Sequence, residues 1–128
     1  MIIGKWPRAL ILIAALAGAA GVGEAAYAAH GSADPLLQTS SNFLLIHATA
    51  VIALTACASS SEPRSKSMLL ASSVLLFGTL LFCGDLSARV FTGQRLFPMA
   101  APTGGSLQII GWLTAVVSAT LPSRRTQP

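Results

Sequence analysis

The sequence predicts an all-α polytopic membrane protein: a single-domain bundle of four transmembrane helices joined by short connectors. One observation is composition. The 128 residues are 53% hydrophobic and only 9% charged, against about 25% charged in a typical soluble domain. With mean hydropathy +0.69, the chain has too little polar surface to cover a globule in water, so lipid is its natural solvent. The second observation is segmentation: four apolar runs of bilayer-spanning length alternate with polar connectors. The third is the placement of Lys and Arg, which alternates from one set of connectors to the other.

The first span covers about residues 9–29. Lys5 and Arg8 precede it, and Trp6 is placed as an interfacial anchor. A rival reading takes the basic start, the apolar centre and Ala26-Tyr27-Ala28 as a secretory signal with a cleavage site; the residues are read here as an uncleaved span. Small residues recur at every fourth position, as Ala17, Gly21, Ala25 and Ala29 and again as Ala15, Ala19 and Gly23. Such stripes let helix backbones approach closely in lipid, which makes the first series a packing face or a docking face for another subunit.

His30 to Ser41 reads as a polar connector, with Gly31, Asp34 and Pro35 as breakers. Ser40, Ser41 or Asn42 then caps a second span over about 42–58, interrupted by His47 and threonines. Ser59 to Ser67 is the next connector, and the third span covers about 68–88. It closes on Asp85 and Arg89, an acid and a base at i, i+4 on one helix face. Val90 to Pro98 leads to the fourth span, about 99–121, whose Pro102 sits where a missing N–H costs nothing. Pro122 stops it, and 122–128 is a basic tail.

Six of the eight basic residues, Lys5, Arg8, Arg64, Lys66, Arg124 and Arg125, fall on one side, and Arg89 and Arg95 on the other. The positive-inside rule places both termini in the cytoplasm, or in the matrix of an organelle. An even number of spans agrees.

Counting about 1.5 Å per residue from the cytoplasmic face puts Glu24 and Asp85 deep in the outer half. His30, His47, Arg89 and Gln108 fall in the same half or at its rim. Lone ionisable groups there are costly, so these six are expected to converge in one structural network. Arg89 would neutralise Asp85, with Glu24, His30 and His47 as further partners. The cytoplasmic half of each span reads as nearly bare of polar groups. A metal site from Glu24, His30 and His47 is disfavoured, because Glu24 and His30 stand about 120° off one helical face. Cys57 and Cys83 have no metal or redox spacing and read as small packing residues. The basic residues are scattered without interleaved aromatics, which excludes a nucleic-acid surface. There is no catalytic constellation, zinc-protease motif or phosphate loop, and no cofactor is expected.

The chain resembles the domain-of-unknown-function family numbered 423, small four-helix membrane proteins of bacteria with a mitochondrial relative in animals. The Gly-Ala-Phe-Gly-Ala-His signature of that family reads Ala25-Ala26-Tyr27-Ala28-Ala29-His30 here. Its other blocks appear as His47-Ala48-Thr49-Ala50, Leu81-Phe82-Cys83-Gly84, Pro102-Thr103-Gly104-Gly105 and Gly111-Trp112. The match runs from about Gly21 to Ala119, in order and in register. Both signature glycines are Ala here, Phe has become Tyr27, and Glu24, Asp85 and Arg89 add charge. The resemblance implies four uncleaved spans in a bacterial inner membrane, or in the mitochondrial one, and supplies no activity. It marks His30, His47, Gly84, Pro102, Gly104, Gly105, Gly111 and Trp112 as family-motif positions.

The function expected from these features is non-enzymatic: an accessory or structural subunit beside a larger membrane complex, or a small scaffold. Its partners would be lipids, other integral membrane subunits or a second copy of the chain. A small transporter or channel using the outer polar cluster is the first alternative, and a membrane metal- or quinone-handling protein the second.

Overall fold

The computed structural model describes residues 4–31, 33–61 and 65–122. They form four helices: α1, Lys5–His30; α2, Pro35–Ser60; α3, Lys66–Thr92; and α4, Ala100–Thr120. The helices α1, α2 and α3 are each long and apolar enough to cross a membrane. At 1.5 Å per residue they run to about 40 Å, longer than a hydrocarbon core of about 30 Å. α4 has 21 residues, or about 31 Å, and is not among the three helices whose hydropathy reaches that of a span. Arg64, Arg124 and Arg125, half of the predicted cytoplasmic charge, lie outside the described residues, as does the tail from 123 onward.

The largest departure from the predicted boundaries is at α2, which starts seven residues before the expected Asn42. Asp34 is the cap: its carboxylate accepts the Leu36 N–H at 2.9 Å, and Pro35 takes the first helical position. An acidic N-cap followed by proline is a start signal rather than a break. Ser40 and Ser41 are therefore helical and buried. α3 begins at a Ser65 cap, whose hydroxyl accepts from Met68 N, and it ends four residues late. Gly93, at φ 75°, closes it by donating to the Arg89 carbonyl. Only glycine enters that left-handed cap without cost. Met99, which opens α4, also has a positive φ of 68°, a conformation that costs a side-chain-bearing residue about 1 kcal/mol or more.

Successive helices pack antiparallel, α1 on α2, α2 on α3 and α3 on α4, with a narrower contact between α1 and α3. One core cluster joins Leu10 and Ala14 of α1, Val51 and Ala58 of α2, and Leu69, Leu75 and Leu76 of α3. A smaller one gathers Ala17, Leu44, Ala48 and Cys83 nearer the Glu24 end. The face of α4 toward α3 is a repeat of three and four: Ala101, Gly104, Gln108, Gly111, Ala115 and Ser118, all buried. That spacing is the seam of a left-handed helix pair. A Cβ on Gly104 would lie 2.5 Å from Phe82 N, one on Gly111 2.8 Å from Leu75 N, and one on Gly78 2.8 Å from Gly104 O. The two backbones touch, and glycine is what permits it.

The predicted small-residue stripe of α1 divides. Ala17 and Gly21 are buried, and a Cβ on Gly21 would stand 3.0 Å from Leu44 and Leu45 atoms of α2. Ala25 is half-buried and Ala29 exposed. A strict four-residue repeat drifts about 40° per step on a helix of 3.6 residues per turn, so the series leaves the interface within three steps. Where it is buried it packs against α2.

Candidate functional site: the polar end of the bundle

Hydroxyls in an apolar solvent need acceptors, and most here find one on their own helix. Thr49, Ser73, Thr79, Thr92, Ser106 and Thr114 each donate to the carbonyl four residues earlier. The groups that bond between elements define the site.

At the Glu24 end, Ser87 of α3 donates to Glu24 Oε1 of α1. The Ser87 hydroxyl lies 3.1 Å from that of Ser40 in α2, which also reaches the Cys83 carbonyl at 3.3 Å. Cys83 Sγ in turn donates to the Ser40 carbonyl at 3.5 Å. Three helices are thus tied by one chain of side chains. Sequence reasoning singles out Glu24, takes Ser40 only as a candidate helix cap and passes over Ser87, because serines are common in this chain and nothing in their spacing marks these two as partners.

Asp85 is 0% exposed, and its ion pair with Arg89 spans 2.5 Å. Its other oxygen accepts the backbone N–H of Leu96 at 2.9 Å. One carboxylate therefore neutralises a guanidinium and pins the α3–α4 connector. The expected partners Glu24, His30 and His47 are replaced by this backbone amide, because a connector folded over the helix end is closer than any side chain of α1 or α2.

The other members of the expected network stand elsewhere. His30 is exposed. His47 Nδ1 contacts the Phe43 carbonyl at 2.9 Å, and its Nε2 accepts from Trp112 Nε1 of α4 at 3.2 Å. Since the indole can only donate, Nε2 carries the lone pair and Nδ1 the proton, and the ring is neutral. Gln108 donates to Thr79 Oγ1 at 3.2 Å, joining α4 to α3. The six residues thus divide among separate contacts rather than forming one network. Among the described residues, no three His, Cys, Asp or Glu stand together as metal ligands.

The Lys5 end is less bare than the sequence suggested. Thr55 donates to Ser72 at 3.2 Å between α2 and α3. Ser67 and Ser118 stand 2.6 Å apart between α3 and α4. Trp6, the predicted interfacial anchor, donates to Ser73 at 2.9 Å and so ties α1 to α3. Of the motif positions, Gly84 lies under Leu96, Pro102 and Trp112 are on the exposed side of α4, and Gly105 faces Phe82 loosely. Gly104 and Gly111 form the α3–α4 seam.

A Trp112→Phe substitution keeps most of the ring packing and removes the donor to His47. It is expected to cost about 1 kcal/mol of stability, measured by unfolding in detergent, with His47→Ala adding little on top of it. Fully additive losses would show that the two rings do not act together.

The fold and its interior define a class: a small all-helical membrane protein in which a minority of the polar side chains tie helix to helix and most of the rest bond within their own helix. The chain belongs to the family described as "Protein of unknown function (DUF423)", whose model matches residues 24–105. A "UPF0382 membrane protein" of Haemophilus influenzae is 32% identical over 111 residues, covering 81% of this chain and 87% of that relative. No solved structure matches the chain. With its apolar helices and its family, the chain is an integral membrane protein.

Proposed function

We propose that the protein is a non-enzymatic structural component of a bacterial inner membrane, an accessory subunit that packs beside a larger membrane complex. In this reading all four helices span, with both termini cytoplasmic. The observation that carries it is the division of the molecule into a bonded interior and unpaired apolar flanks. Inside, Ser40, Ser87, Asp85, His47 and Gln108 are engaged by protein groups, and Glu24 is engaged through one carboxylate oxygen while its other is buried without a partner. Outside, α1 exposes Leu12, Leu16 and Val22, and α4 exposes Ile109, Leu113 and Val116. These terminal helices pack on α2 and α3 rather than on each other, so both outer faces are available to other helices.

A transport reading draws on the buried hydroxyls Ser72 and Thr79 and the half-buried Ser87, spaced along α3. Those hydroxyls bond protein atoms across or along the helices, which favours cross-links over a path. The experiment is cross-linking in the native membrane from photoreactive side chains at Leu16 and Leu113, with the full chain at its natural level. The same membrane protein recovered from repeated preparations is the expected result. Adducts with lipid alone would overturn it. Cation or proton flux into proteoliposomes that vanishes in Glu24→Gln would overturn it in favour of transport.

A further inference from the structure

The connector between α3 and α4 does not look like a solvent loop. Residues 91–99, the last two of α3 and the connector after it, are all exposed, yet four of them are large and apolar. Phe91, Leu96, Phe97 and Met99 are between 45% and 61% exposed. The segment is nevertheless held in place. Leu96 N–H is bonded to the fully buried Asp85 carboxylate, and Leu96 Cδ1 lies over Gly84, where even an added Cβ would be 3.5 Å away. Gly93 and Met99 turn the chain through left-handed conformations at either end, and Ala100 N bonds the Phe97 carbonyl across the second turn. Tyr27 of α1 meets Phe91 edge-on at 5.4 Å between ring centroids and is itself 48% exposed. Holding apolar side chains outward into water would gain nothing. Held outward into the acyl–headgroup boundary, they gain what an interfacial anchor gains.

Charge supports the same placement. Arg95, on this connector, is exposed. Arg89, one turn before the connector, gives one terminal nitrogen to Asp85, while its Nε is buried without a protein partner. An exposed arginine among exposed apolar side chains suits a bilayer surface, where its stem lies in the apolar layer and its head meets the lipid phosphates. We propose that the 91–99 segment, with Tyr27 and Arg95, is a lipid-inserted collar. Its apolar side chains enter the acyl boundary of the outer leaflet, and Arg95 binds a phospholipid phosphodiester.

This inference concerns lipid at one end of the bundle. It stands whether or not the flanks of α1 and α4 carry a protein partner. The test uses the full chain in phosphatidylcholine vesicles, with and without added phosphatidylglycerol. A nitroxide is placed by Phe97→Cys in a Cys57→Ser background. Cys83, being 1% exposed, is shielded from the reagent. Collisional access to oxygen several-fold above access to a water-soluble nickel complex is expected at this position, and the reverse at Gln94→Cys. Equal or greater nickel access at position 97 would overturn the insertion. Lipid retention in native mass spectrometry is expected to fall several-fold in Arg95→Gln for both lipids, because both carry the phosphodiester. A fall for the anionic lipid alone, or no fall, would overturn the phosphate contact.

Discussion

Gly104→Ala should cost about 2 kcal/mol of unfolding free energy, about 3 kcal/mol of overpacking less about 1 kcal/mol of helix propensity. The added Cβ would stand 2.5 Å from Phe82 N and 2.9 Å from Phe82 Cα. Both are backbone atoms of a neighbouring helix, so no side chain can swing away and α3 and α4 must separate. Overpacking of this kind costs about 1–3 kcal/mol, and a backbone clash puts this site at the upper end. The helix propensity gained in replacing glycine, up to about 1 kcal/mol, offsets only part of it. Gly105→Ala is the internal control. Its Cβ would meet Phe82 Cδ2 at 3.8 Å, an ordinary contact, so the propensity term should dominate and stability should hold or rise. Unfolding of the two variants in the same detergent checks the pair. Equal effects at 104 and 105 would show that the α3–α4 seam is not as close as described. Gly111→Ala, whose Cβ would meet Leu75 N at 2.8 Å, should behave like Gly104→Ala.

The sequence shows that seam more plainly than its glycines alone suggest. Ala101, Gly104, Gln108, Gly111, Ala115 and Ser118 alternate by three and four, the period that keeps one face toward one neighbour. The strict four-residue series of α1 is more conspicuous and less informative, because it winds off its own interface. The start of α2 was also legible. Asp34-Pro35 reads as a break by residue type, but the same two residues cap and begin a helix.

The site was legible in depth and not in direction. Counting residues from the Lys5 end of the spans groups Glu24, Asp85 and Arg89 at the other end, and the structure has them there. Counting along the axis says nothing of which neighbour a side chain faces. His47 faces Trp112 of α4, and Gln108 faces Thr79 of α3. The bond from Asp85 to the Leu96 amide carries no side-chain signal at all at its second end. Backbone groups are everywhere in a sequence, and only a folded connector selects one of them.

That backbone partner makes Asp85→Ala the second large expectation. Removing the carboxylate leaves the Arg89 guanidinium without its counter-charge and the Leu96 N–H without an acceptor. Breaking a buried pair by deleting one member costs about 3–5 kcal/mol. Because Arg89 is 23% exposed and can turn toward the headgroups, the lower end, about 3 kcal/mol, is expected. Asp85→Asn keeps an oxygen for the Leu96 N–H and loses only the charge, so it should lose less. The double variant Asp85→Leu with Arg89→Leu removes both charges and fills their volume, and should recover part of the loss, as a cycle over coupled groups does. A local readout accompanies the stability. With its anchor gone, the connector should open, and trypsin should cut after the exposed Arg95 faster in Asp85→Ala than in the wild type. If stability fell while cleavage at Arg95 did not change, the carboxylate would be serving the ion pair alone. If neither changed, Asp85 would not be the residue that closes this end of the bundle.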